Sequence, residues 1–441
     1  MDGNQRNFFT FYSLLITQTL SLIGSQMTSL AIGIWIYEQT GNASPLAFVA
    51  FFSFLPRLIS VGFAGVFADK YDRRYVMALA DAGQAIGTFV LLGVLFTGVF
   101  QIWHLYVVAV IQAVFGVFQQ PAFQASVTML IPDKHRDRAN AVQLLTGPVA
   151  GIIAPTFAGM LYAFIGLQGV IIVDLVTFFV GATVVLFLDI PKPDRSKVAA
   201  EMGTSIWMQA LAGLRYVWSR RPLFYMFLFM GINNFFVAGM FVLRTPYILA
   251  RTGNDEITLG LIMSVASAGA IFGTVAMSIW GGFRPRIHNI LPSAAMIGLS
   301  LAFMGTQSSP YWIAAAAFFG AIFPSIINAS LISILQIKVP PDLQGRVFAA
   351  IQQMSMTLMP LAYLVVGPLA DNVFEPAADG GWQFSGVVGS GTGAGMGLMH
   401  LIAGSTVVIV AMLFYFYPKV RHLETILPDF TPQSQEEIAT A

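Results

Sequence analysis

The residues able to do chemistry in this chain are few, and they stand where water should be scarce. Arg57, Asp81, Asp174 and Arg244 each interrupt a long apolar run. An uncompensated charge inside a bilayer costs at least about 2.5–3.5 kcal/mol. Each must therefore be paired, lie near an edge, or be in use. Arg57 and Asp81 flank the turn at 69–74 at comparable distances. An antiparallel hairpin would bring them to similar depth, so the economical expectation is a buried ion pair, either structural or linked to gating or proton movement. Asp174 stands close enough to an outer end to snorkel, and Glu38 and Arg244 lie toward the same face. Amides form a second set: Gln18, Gln26, Gln112, Gln119, Gln120, Asn233, Asn234 and Asn328. Inside a bilayer an amide either ties helices together or lines a cavity. Phe115, Phe118, Phe123, Phe235, Phe236, Phe318, Phe319 and Phe323 are interleaved with them. An aromatic cavity with a few amides suits a large amphipathic ligand better than a sugar or an ion. For many of these rings, contact with lipid is the plainer alternative.

Other chemistries are set aside. No G-x-x-x-x-G-K-S/T occurs, so ATP hydrolysis is not expected. The glycine run Gly389–Gly397 fails the dinucleotide spacing and reads as a flexible linker. Five histidines are scattered without an H-E-x-x-H pair, and there is no cysteine, so no metal site, disulfide or cofactor is expected. A net charge of +1 implies no nucleic-acid partner. No catalytic dyad stands out, and the chain is not expected to be an enzyme.

The elements that must position these residues follow from composition. Residues are 56% hydrophobic and only 10% charged, with a mean hydropathy of +0.74. A soluble domain carries roughly 25% charged residues, so the solvent for most of this chain is lipid. Apolar runs lie at 11–37, 45–68, 75–97, 103–130, 139–164, 168–190, 223–250, 257–280, 290–306, 311–337, 347–374 and 398–417. Each can cross a bilayer as a helix. The first is longer than a signal-peptide core and is expected to be a retained span. Of 22 Lys and Arg, all but Arg57, Arg244 and Arg251 fall in even-numbered loops or at the termini. By the positive-inside rule those loops and both termini are cytoplasmic. The expectation is an all-α integral protein of a bacterial inner membrane, with twelve transmembrane helices as two pseudo-symmetric six-helix bundles.

The two bundles are legible as a repeat. Thr40-Gly41-Asn42 recurs as Thr252-Gly253-Asn254, 212 residues on. After a small length change the shift becomes 208, and Gly65 meets Gly273, Phe115 meets Phe323, Pro132 meets Pro340, Arg138 meets Arg346 and Gly159 meets Gly367. A parallel repeat puts a pseudo-two-fold axis along the membrane normal and a substrate site between the halves. The divisions are 1–190 for the first bundle, 191–222 for a cytoplasmic linker, 223–417 for the second bundle and 418–441 for a tail. Within the linker, Ile206, Trp207, Ala210, Leu211, Leu214, Val217 and Trp218 make one helical stripe, which either lies on the inner leaflet or packs on protein.

Between spans 2 and 3 stands Gly65-Val-Phe-Ala-Asp69-Lys70-Tyr-Asp72-Arg73-Arg74. This resembles the G-x-x-x-D-R/K-x-G-x-R/K-R/K signature of the major facilitator superfamily, with Asp72 in place of the second glycine. More narrowly, Leu22-Ile-Gly24-Ser-Gln-Met-Thr, Gly213-Leu-Arg-Tyr-Val-Trp, Val339-Pro-Pro-Asp-Leu-Gln-Gly345-Arg346 and Gly367-Pro-Leu-Ala-Asp371-Asn-Val-Phe-Glu375-Pro376 resemble the macrolide-efflux and siderophore-exporter branch. The resemblance implies a secondary exporter of amphipathic small molecules working by alternating access, monomeric and proton-coupled. A siderophore or lipid transporter on the same fold is the alternative. A receptor, sensor or membrane enzyme is the reading of another class. Substrate contacts would come from Gln18, Gln26, Gln112, Phe115, Gln119, Asn233, Asn234 and Asn328. Gating and coupling would fall to Asp69, Arg73, Arg57, Asp81, Gly345 and Arg346, with Asp69 docking at the Gly345-Arg346 helix start. Only one half carries this acid, because Met277 replaces it in the second copy. Two departures touch coupling: Gln112 stands where proton–drug antiporters carry an arginine, and the span 5 antiporter pattern is only partly kept over Gly147–Gly159.

Overall fold

The structure is a computed structural model that describes residues 3–70, 73–131, 136–187, 215–379 and 383–430. A backbone in hydrocarbon must satisfy its own hydrogen bonds, and helices do so within each segment. The first six spans are α1 (Gly3–Thr40), α2 (Ser44–Lys70), α3 (Arg73–Thr97), α4 (Ile102–Leu130) and the stretch Arg136–Phe187. That stretch is broken at Gly166, where φ is 65° and ψ is −174°, into α5 (136–165) and α6 (167–187). A residue with a Cβ would be strained there. The second six are α7 (Arg221–Thr252), α8 (Glu256–Trp280), α9 (Ile287–Gly305), α10 (Pro310–Lys338), α11 and α12 (Ala394–Phe416). α11 comprises Pro341–Met356 and Met359–Leu369, followed by a π-turn, Ala370–Phe374. The linker stripe from Ile206 to Leu214 lies outside the described residues. Beyond it Val217 is buried and Trp218 is exposed.

The repeat is visible in the geometry. Gly41 and Gly253 end α1 and α7 with φ of 65° and 68°, the left-handed conformation that glycine adopts without penalty. α2 packs against α4 and α11, and α8 against α10 and α5. Under the repeat these are images of one another. Where the halves meet, glycines replace side chains. A Cβ on Gly159 of α5 would lie 2.3 Å from the Glu256 carbonyl oxygen of α8. A Cβ on Gly367 of α11 would lie 2.5 Å from the Ser44 Cα of α2. Gly159 corresponds to Gly367, and Ser44 to Glu256, so one contact is made twice.

α1 begins, and α2 ends, at what is here the terminal face. The turn Gly41–Asn42 marks the distal face. Contacts between halves gather toward the distal face. Thr156 Oγ1 and Ser264 Oγ are 2.7 Å apart, and Ser264 Oγ donates to the Ile152 carbonyl at 2.6 Å. The rings of Phe54 and Tyr363 meet edge-on at 5.8 Å, and Thr245 of α7 lies against Gly33 of α1. Toward the terminal face, α2 and α5 make no comparable contact with Pro341–Met356 among the described residues.

Candidate functional site: a distal latch and a buried amide–carboxylate network

α2 begins without a capping side chain of its own. Its image in the second half, α8, is capped by Asp255, which accepts from Thr258 N at 2.9 Å and Thr258 Oγ1 at 2.6 Å. Those bonds hold the Asp255 carboxyl below the usual carboxylate range. Under the repeat Asp255 corresponds to Ala43, which has no acceptor. The missing acceptor comes from the other half. Asp371, in the π-turn of α11, accepts from Ala43 N through Oδ1 and from Ser44 N through Oδ2, both at 2.7 Å. A carboxylate on the first N–H groups of a helix satisfies orphan donors and meets the positive end of its dipole. The π-turn, a form frequent at functional sites, belongs to the segment that presents it. The repeat counterpart of Asp371 is Ala163. Each crossing contact thus has one cap, but only the α2–α11 contact takes it from across the interface.

The second constellation lies inside the first half. Asp81 is 2% exposed on α3. Its Oδ1 accepts from Gln119 Nε2 of α4 at 2.6 Å. Gln119 Nε2 also donates to Gln18 Oε1 of α1 at 2.9 Å, and Gln84 Nε2 donates to Gln119 Oε1 at 2.9 Å. Asp81 Oδ2 and Gln18 Nε2 are buried without partners. An amide offers either an acceptor or a donor, depending on which end it presents. This network can therefore accommodate a carboxylate or a carboxylic acid. On the other side of α1, Asp174 of α6 is 1% exposed, and its Oδ1 accepts from Ser25 Oγ at 3.4 Å. Asp174 does not snorkel; it faces α1 where Gly24 leaves room for it.

The expected Arg57–Asp81 pair is not formed. Arg57 is exposed and lies near Tyr363 of α11. Hairpin-connected α2 and α3 share depth, but they barely touch, because each packs on α4 and on a different second neighbour. The amides separate into three groups. Gln18 and Gln119 belong to the Asp81 network. Gln112 donates to Thr88 Oγ1 at 3.0 Å, and Asn234 Nδ2 donates to the Ser355 carbonyl at 2.9 Å. Phe115 packs on Gly83, whose Cβ would lie 2.2 Å from the ring, so these side chains knit helices within a half. Asn233 is buried with Oδ1 unpartnered. Gln26 is half-buried without a described hydrogen bond, and Asn328 is exposed. The side chains of Asp69, Arg73, Arg346 and Gln120 lie outside the described residues. Gly345 is exposed, with no described atom within 4 Å of a Cβ placed on it. A cavity of about 130 Å³ lies not between the halves but within the second, among Phe236, Gly239, Met240, Val366, Met399 and Ala403.

The sequence matches the Major Facilitator Superfamily over residues 14–364. The chain belongs to that superfamily. Macrolide efflux protein A of Streptococcus pyogenes is 26% identical over 377 residues, which cover 82% of this chain and 90% of that protein. Multidrug efflux pump Tap of Mycobacterium bovis is 22% identical over 376 residues, covering 82% and 87%. Among solved structures, a bacterial homolog of the human lysosomal transporter Spinster aligns with a TM-score of 0.69 at 16% identity, over 97% of this chain and 99% of that one. That likeness shows the fold. The relatives and structural neighbours are transporters, so this superfamily member is a transporter rather than an enzyme.

Proposed function

We propose that the chain exports an amphipathic small molecule across a bacterial inner membrane by alternating access, coupled to proton entry. The carrying observation is the Asp371 latch. It joins the two halves at the distal face, through two hydrogen bonds from backbone N–H groups that can break and reform without chemistry. With the termini cytoplasmic, as the cations argue, the latched face is the outer one. Substrate would enter from the cytoplasm or the inner leaflet and leave when the latch breaks. The exporters among the relatives support that direction.

Asp81 is the proposed proton site. It is buried inside the half that carries it and has no cation partner among the described residues. Its amide neighbours can serve either protonation state. Proteoliposomes containing the purified chain test the reading. A pH gradient should drive uptake of a fluorescent amphiphile in wild type and not in Asp81→Asn. Equal gradient-driven uptake in both would remove Asp81 from coupling, and no uptake in either would remove the transport reading with it.

A further inference from the structure

Positive and negative charges within the membrane are segregated. The buried acids of the first half, Asp81 and Asp174, are enclosed against α1. The two arginines within spans are not enclosed with them. Arg57 is exposed on α2, one turn from Phe54, which meets Tyr363 of the other half. Arg244 lies on α7. Its guanidinium sits 5.1 Å from the centre of the Phe241 ring, and its one polar contact is a weak one to Met263 Sδ at 3.9 Å. Its Nε is buried and unpartnered. Phe241 is 62% exposed. It shares a helix face with Thr245 one turn on, and Thr245 touches Gly33 of α1. That face therefore runs along the interface between the halves, with Phe241 exposed on it. A buried imidazole also lies in the second half. His400 of α12 is fully buried, its Nδ1 donates to the Met396 carbonyl at 2.8 Å and its ring lies 4.8 Å from that of Tyr247 on α7. Glu38 and Glu256 are placed at the closed distal end, where Glu38 accepts from Tyr162, and neither reaches Arg244. No carboxylate among the described residues pairs with Arg57 or Arg244.

A half-buried arginine fork with no acid partner among the described residues has a shape that fits a planar anion. We propose that Arg244 binds the acidic group of the transported molecule, so that the substrate is an anionic amphiphile whose carboxylate, sulfonate or phosphate meets Arg244 while its apolar body lies against Phe241. Arg57, across the interface, adds to the positive potential that draws it in. This rests on the export reading above and narrows it.

The test is equilibrium binding, which needs no turnover. A dansyl amphiphile carrying a carboxylate is compared with its methyl ester and with a trimethylammonium counterpart, by fluorescence polarisation on the purified full chain. Wild type should bind the carboxylate at least ten times more tightly than the ester, and the cation most weakly. Arg244→Gln should erase that preference and leave ester affinity within about twofold. Should Arg244→Gln fail to purify, Arg244→Lys decides, because a point charge cannot reproduce the two-point fork. The preference should then fall several-fold, and an unchanged preference overturns the proposal. Equal binding of all three probes to wild type sinks the anion assignment and leaves export standing. Binding of none sinks the export reading as well.

Discussion

Replacing Asp371 by Ala removes both acceptors from the start of α2 and leaves Ala43 N and Ser44 N to water at a half-buried site. Loss of an N-cap costs about 0.5–2 kcal/mol, and loss of a charge at a helix start about 0.3–1 kcal/mol. Water at the distal face recovers part of this, so the net effect is about 1–2 kcal/mol, a factor of roughly 5–30 in an equilibrium. Because the bonds cross the interface, that factor falls on the balance between distal-closed and distal-open conformers rather than on folding alone. The chain has no cysteine, so Thr97→Cys and Ser308→Cys give two unique labels, both exposed near the distal ends of different halves. Double electron–electron resonance should show a longer-distance population in Asp371→Ala, increased by that factor. A local cap separates the two roles. Adding Ala43→Ser to Asp371→Ala should restore melting temperature, as the self-capped α8 does for its own start, but not the distance distribution. An unchanged distribution in Asp371→Ala would refute the latch, and recovery of the distances by Ala43→Ser would reduce Asp371 to a cap.

Further outcomes follow from the same geometry. Gly260→Ala puts a Cβ 2.3 Å from the Pro155 carbonyl oxygen across the α5–α8 seam; overpacking of about 1–3 kcal/mol should lower the melting midpoint, and a neutral result would mean the seam is looser than described. Gln119→Leu should destabilise the first half by about 1–3 kcal/mol by orphaning Asp81 Oδ1, and Gln119→Leu with Asp81→Leu should recover part of that in thermal unfolding. Asp255 has a lowered carboxyl affinity for protons, so the stability it adds is full above the unfolded value of about 3.9 and is lost as pH falls through the lower folded value; Asp255→Ala should flatten that acid limb. Cysteines at Thr97 and Ser308 should react with an impermeant thiol reagent from outside sealed cells, and cysteines at the exposed Arg284 and His422 should not; the reverse pattern would invert the membrane orientation.

Span positions, the repeat and the helical breaks were legible in the sequence because each rests on local or periodic information. An apolar run long enough to cross a bilayer has one answer, and Gly41 and Gly253 mark equivalent left-handed turns whatever surrounds them. The join of α5 and α6 was legible too, since the runs 139–164 and 168–190 leave a gap in which the dihedrals of Gly166 break the helix. The latch was half legible. Asp371 sits in a segment that resembles exporters, yet its role depends on what Ala43 lacks 328 positions away, and a missing cap leaves no trace until the start of α2 is placed. The repeat held the clue: aligning Asp255 with Ala43 exposes the deficit before any coordinates are known.

Charge partners were the least legible part, for a geometric reason. Depth can be counted along a hairpin, which is why Arg57 and Asp81 were expected to meet. Azimuth cannot be counted that way, because it depends on which helices flank each span. α2 turns its polar flank to α11 and α3 turns its own to α1 and α4, so equal depth brought no contact. The same ambiguity explains why Gln112 and Phe115, on a helix expected to line a cavity, face α3 instead. In a bundle where every helix has three or four neighbours, a polar residue is as apt to bind its own half as to face the substrate. Candidates for substrate contact are then those left over once each half has satisfied itself, with Gln26, Asn233, Asn328, Arg57 and Arg244 among them. Unsatisfied valence is then a better guide to the substrate than polarity, and here it leaves these amides and both arginines with no carboxylate partner among the described residues.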